Sequence, residues 1–148
     1  MRNVVDYLTG NRILNVSIIA FVLAQTLKVL ISLVQNRKFD MSRLFGSGGM
    51  PSSHSATVCA LTVSVGRVSG THTAQFAISA VLAIIVMYDA LNVRRQAGQH
   101  AKILNYIIEN WHDMSPDLFQ RKLKELLGHT PLQVVCGAIL GIALGFLM

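Results

Sequence analysis

The chain has 148 residues, 52% of them hydrophobic and only 14% charged, whereas a soluble domain carries about 25% charged residues. Its formal charge is +6, from thirteen Lys and Arg against seven Asp and Glu. The length allows one domain, 1–148, and the grouping of apolar residues into runs excludes an ordinary soluble globule. In an integral membrane protein such a charge reads as a topology signal and as contact with anionic lipid, and no nucleic-acid module accompanies it.

Residues 13–34 form the first apolar run, long enough to cross a hydrocarbon layer about 30 Å thick. Its polar lead and its length set it apart from a cleavable signal peptide. Lys28 lies inside this run, with Gln25 one turn earlier. A charge within a span either serves a site or snorkels to the interface. Residues 48–57 then read Gly-Gly-Met-Pro-Ser-Ser-His-Ser-Ala-Thr. The glycine pair at Gly48 and Gly49 permits a close backbone approach, and Pro51 suits a first helical turn. Ser52, Ser53 and His54 fall where a helix start exposes free N–H groups and a positive dipole end. That is the composition of a phosphate site with a proton donor.

The second span, 53–68, is short and interspersed with Ser, Thr and Gly, so it is expected to pack between other helices. The third covers 73–90 and ends in Tyr88-Asp89-Ala90-Leu91-Asn92-Val93-Arg94-Arg95. Asp89 most simply pairs with one of the two arginines. Arg94 and Arg95 fit bidentate phosphate binding and ordinary topology arginines equally well. The segment 91–130 is more polar. Within it Ile103, Leu104, Ile107, Ile108 and Trp111 mark an amphipathic interfacial helix, and 117–127 repeats the pattern. His72, His100 and His112 carry no assigned role. The fourth span, 131–148, carries Gly137, Gly141 and Gly145 at four-residue spacing, one smooth face for close helix packing. The same stripe could seat an assembly partner. Just ahead of it stands His129, which becomes a candidate nucleophile through its company with His54. Gln133, four residues on, could hold one ring nitrogen. Cys59 and Cys136 read as small apolar packers, and no metal or other cofactor is expected.

Four spans place the N-terminus, the turn at 67–72 and the C-terminus on one side, with Arg2, Arg12 and Arg67. The other side holds nine cations: Arg37, Lys38, Arg43, Arg94, Arg95, Lys102, Arg121, Lys122 and Lys124. The positive-inside rule makes the crowded side cytoplasmic. The polar clusters near Lys28, His54, Asp89 and His129 all converge there. The fold class is therefore all-α: a helical membrane bundle of about four transmembrane helices with interfacial amphipathic helices. A bundle of such short helices leaves room for a second copy to cover polar faces.

Pro51-Ser52-Ser53-His54, the stretch from Tyr88 to Arg95 and the residues around His129-Thr130-Pro131-Leu132-Gln133 together resemble the type 2 phosphatidic acid phosphatase and vanadium haloperoxidase superfamily. The likeness is greatest to its short divergent branch of small bacterial and plastid membrane proteins. The superfamily pattern is Lys-x6-Arg-Pro, then Pro-Ser-Gly-His, then Ser-Arg-x5-His-x3-Asp. This chain has Ser53 in place of the glycine and Gln133 in place of the final acid. Lys28 is followed by Arg37 and Arg43 at other spacings, and Arg94 or Arg95 must supply the last arginine. The resemblance implies a metal-independent lipid phosphate phosphohydrolase in a bacterial cell membrane. His129 would attack phosphorus to form a phosphohistidine, and His54 would protonate the leaving alcohol. Lys28, Arg37, Arg43, Arg94, Arg95, Ser52, Ser53 and the backbone at Gly49 would bind the phosphate. The alternative is a non-catalytic binder or carrier of anionic lipids that keeps the same pocket.

Overall fold

A computed structural model of the chain describes residues 9–36, 49–110 and 128–148. Among them are five helices: α1 Arg12–Asn36, α2 Ser53–Ser69, α3 Ala74–Leu91, α4 Val93–Asn110 and α5 Pro131–Leu147. The boundaries follow local chemistry. The Asn11 side chain accepts the Leu14 N–H at 3.1 Å ahead of α1. Ser52 caps α2, Thr73 caps α3 and Thr130 caps α5, each accepting a backbone N–H three residues on. Gly70, at φ +94°, ends α2, a conformation that favours glycine. Pro131 opens α5 as its first residue. Pro51, expected in the first turn of α2, instead precedes the cap, and Ser53 is the first helical residue.

Helix α2 is the centre of the bundle and packs against α5, α1 and α3, as its small and polar composition led one to expect. Ala56 and Ala60 of α2 meet Val16, Ala20 and Ala24 of α1, with Leu140 and Leu144 of α5 against the cluster. On the α3 side, the Thr62 hydroxyl donates to the Ser79 carbonyl at 3.0 Å. The glycine stripe of α5 lies on α2. A Cβ at Gly137 would crowd the backbone of Ser52, and one at Gly141 would come within 2.9 Å of the Ala56 Cα. One at Gly145 would come within 2.6 Å of Val63. The stripe is thus occupied within the chain, which removes it as a seat for an assembly partner.

The distribution of residue types is inverted relative to a soluble protein. The interior holds Ala, Ser, Val, Cys and Gly, together with Asn15, Lys28 and His129. The large apolar side chains face outward: Phe21 and Val22 of α1, Ile78, Ile84 and Ile85 of α3, Ile139 and Phe146 of α5. Small residues inside and large apolar ones outside are the solution for helices in lipid, where close approach replaces hydrophobic collapse. Two stretches, Arg12–Val34 and Ala74–Glu109, are long and apolar enough to cross a membrane, and Pro131–Leu147 is apolar but shorter.

The expected third span thus continues. Asn92 interrupts it for one residue, and α4 follows at once. Along α4 the buried positions are Gly98, Ala101 and Asn105, while Ile103, Leu104 and Ile107 are exposed. The expected apolar stripe therefore points outward. Trp111, His112 and the repeat at 117–127 lie outside the described residues.

Candidate active site at one end of the bundle

Three helix junctions meet around His129. The first is the start of α2: the Ser52 N–H donates to the Gln133 carbonyl at 3.0 Å and ties α2 to the first turn of α5. The second is the α3–α4 elbow: the His129 N–H donates to the Ala90 carbonyl at 3.0 Å. Gly128, at φ +99°, lies flat against that elbow, where a Cβ would come within 2.7 Å of the Arg95 Cα and 2.8 Å of the Arg94 carbonyl carbon. The third is the loop before α2: Gly49, at φ +106°, passes over the Lys28 stem, where a Cβ would meet Cγ at 2.9 Å. The glycine reading of this loop holds at Gly49, and Gly48 lies outside the described residues.

These junctions place the two histidines in contact. Their ring centroids are 5.8 Å apart with the planes at 79°, an edge-to-face pair. His129 is 1% exposed, and neither of its ring nitrogens has a hydrogen-bond partner among the described residues. Nδ1 of His54 is buried in the same condition. Lys28 is 2% exposed. Both Lys28 and Arg94 act electrostatically on both histidines. Arg94 also binds Asp89, Nε to Oδ2, at 2.6 Å on the partly exposed rim, which is the pairing expected for Asp89.

Two expected site residues have other duties. Ser52 Oγ accepts the Ser55 N–H at 3.4 Å and the Ser55 hydroxyl at 3.1 Å, so it organises the helix start. Gln133 does not hold His129. Its side-chain oxygen accepts the Thr130 N–H at 3.1 Å, closing a reciprocal box with the Thr130 hydroxyl. Thr-x-x-Gln is the sequence signature of that box, and it outcompetes the four-residue pairing because both partners are already aligned by the first turn. Ser53 is buried beside His54. Arg95 contributes its backbone to the seat of Gly128, and its side chain is exposed. Arg37 and Arg43 lie outside the described residues. The groups that do converge are His129, His54, Lys28, Arg94, Asp89 and the Gly49 turn. The Ala90 carbonyl and Gly128, which set the position of His129, carry no signal in the sequence beyond a glycine before a histidine.

Burial lowers the His129 pKa to about 4, with the positive fields of His54, Lys28 and Arg94 adding to it. The ring is therefore neutral at pH 7 and available as a nucleophile. The unfolded chain, with an ordinary value near 6.5, takes up that proton first. Stability then falls as pH drops through about 6.5 and the loss is complete near 4, about 3 kcal/mol for such a shift. Thermal melts in detergent between pH 7 and pH 4 are expected to show this slope, and His129→Ala to flatten it.

Gly128→Ala strains both φ and the elbow. We expect a loss of about 2 kcal/mol or more in stability, measured by melting in detergent.

The fold and site define an all-helical membrane protein with a histidine pair, His129 buried and His54 half-buried, flanked by cations. The chain belongs to the divergent PAP2 family, which it matches over residues 9–144. It is 41% identical over 138 residues to the uncharacterized membrane protein YuiD of Bacillus subtilis (strain 168), covering 86% of this chain and 87% of that protein. No solved structure matches it.

Proposed function

We propose that the protein is a lipid phosphate phosphohydrolase working through a phosphohistidine, with α1, α2, α3 and α5 crossing the membrane and the histidine pair at the cytoplasmic end. The observation that carries this reading is His129: a fully buried imidazole whose nitrogens have no partner among the described residues, edge-on to a second histidine. An unmet buried polar group costs about 1–3 kcal/mol, and such groups are kept where chemistry or a ligand uses them.

A phosphate seated against the histidine pair meets Lys28 and Arg94, which balance the charge that builds on its oxygens. Binding draws Arg94 from Asp89. The neutral His129 nitrogen attacks phosphorus, the bond from phosphorus to the lipid oxygen breaks, and His54 donates its proton to that oxygen. His54, now neutral, takes a proton from water as the water attacks the phosphohistidine. His129 is released and inorganic phosphate leaves. No step calls for a metal. The site lies at the end of a bundle whose flanks are apolar, which favours a lipid as the leaving alcohol.

The test is phosphate release by the purified protein in detergent, from a panel of phosphatidate-like lipids, phosphatidylglycerophosphate and polyprenyl phosphates, with chelator present. Vanadate-sensitive release that persists in chelator and is lost in His54→Ala supports the reading. The second reading, a binder of anionic lipids, is favoured by Gln133, since among the described residues no carboxylate is bonded to His129 to stabilise an imidazolium. Lipid binding that Arg94→Ala weakens, with no release from any lipid, selects it.

A further inference from the structure

The end of the bundle away from the histidines holds a separate polar cavity. It has a volume of about 70 Å³ and is lined by Arg12, Ser64, Arg67, Val68, Gly145 and Met148. Ser64 lies ten residues beyond His54 on α2, so about 15 Å along the helix. Three features make this cavity more than a packing gap.

First, two guanidinium groups converge on it. Arg67 donates through Nη1 to the carbonyls of Gly145 at 2.8 Å and Phe146 at 2.5 Å. Arg12 donates through Nη2 to the Met148 carbonyl. Each guanidinium has five N–H donors, and among the described residues these bonds engage one nitrogen of each. Second, even with a terminal carboxylate at Met148 counted beside the helix's roughly half negative charge, the two full cations leave the cavity with a positive surplus. Third, Ser64 is 4% exposed, and its hydroxyl has no partner among the described residues. A buried hydroxyl donor beside spare guanidinium donors lacks an acceptor. A tetrahedral oxyanion supplies several at once, and the cavity has room for a phosphate group.

We propose that this cavity is a second anion site, taking a phosphate group, independent of the histidine pair and of the reaction assigned to it. The phosphate arrives either free or on a lipid headgroup at the opposite bilayer surface.

The experiment uses the full chain in detergent micelles and two probes, inorganic phosphate and short-chain phosphatidylglycerol, titrated by calorimetry in an Arg94→Gln background that weakens the histidine site. Saturable binding is expected to survive in Arg94→Gln. Adding Ser64→Val, which fills the cavity and removes the hydroxyl, or Arg67→Gln is expected to weaken it at least tenfold. Binding of both probes identifies a site open to free phosphate; binding of the lipid alone identifies a headgroup site. Should Arg67→Gln fail to fold, Ser64→Val decides alone, because the α5 caps remain. Absence of saturable binding in Arg94→Gln, or undiminished binding in Ser64→Val, overturns the proposal and leaves the arginines as caps of α5.

Discussion

Under the proposed phosphohistidine route, His129→Ala is expected to lower phosphate release by about a thousandfold or more while leaving the protein folded and able to bind a lipid phosphate. Removing a nucleophile abolishes the covalent route, and what survives is the rate given by binding and charge alone. A thousandfold corresponds to about 4 kcal/mol of transition-state stabilisation. The fold should tolerate the change. The imidazole makes no hydrogen bond among the described residues, so its loss orphans no partner, and the backbone bond from residue 129 to Ala90 remains. Melting temperature at pH 7 should move by only a few degrees. Release at the wild-type rate would remove His129 from the reaction.

Gly141→Leu is expected to disassemble the bundle. The site on α5 faces the Ala56 carbonyl carbon and Cα, each 2.9 Å from where a Cβ would stand. Neither is a flexible side chain that could turn away, so the two helices must separate. Even single added methylenes in packed interiors cost about 1–3 kcal/mol, and a whole side chain between two backbones exceeds that. Against a total stability of about 5–15 kcal/mol, the variant should melt far below the wild type or fail to fold. The same separation pulls Gln133 from Ser52 and opens the seat of His129, so the proposed phosphate release should be lost as well. Leu at Ile139, an exposed position on the same helix, is the control and should change little.

Much of this was legible from composition and spacing. The apolar runs, the glycine stripe and the Pro-Ser-Ser-His helix start each correspond to one physical requirement. The pairing of Asp89 with a neighbouring arginine follows from charge alone. The elements that escaped depend on competition between two local patterns or on distant backbone contacts. Gln133 sits at both a helix-pairing distance from His129 and a capping distance from Thr130, and only geometry chooses between them. Asn92 stops α3, but nothing in the sequence says that α4 restarts after one residue. The contact of Gly128 with the elbow joins segments more than thirty residues apart in sequence, beyond any periodicity. Arg12 and Arg67 read as topology arginines until α5 is seen to end between them.

The most direct test of the central claim is to trap the covalent intermediate. The protein in detergent is mixed with a lipid phosphate carrying labelled phosphorus, quenched in alkali within seconds, digested and mapped. Label is expected on the peptide containing His129, stable to base and lost in acid, and absent from His129→Ala. Label on another residue, or phosphate release from wild type with no labelled protein at any time, would contradict it.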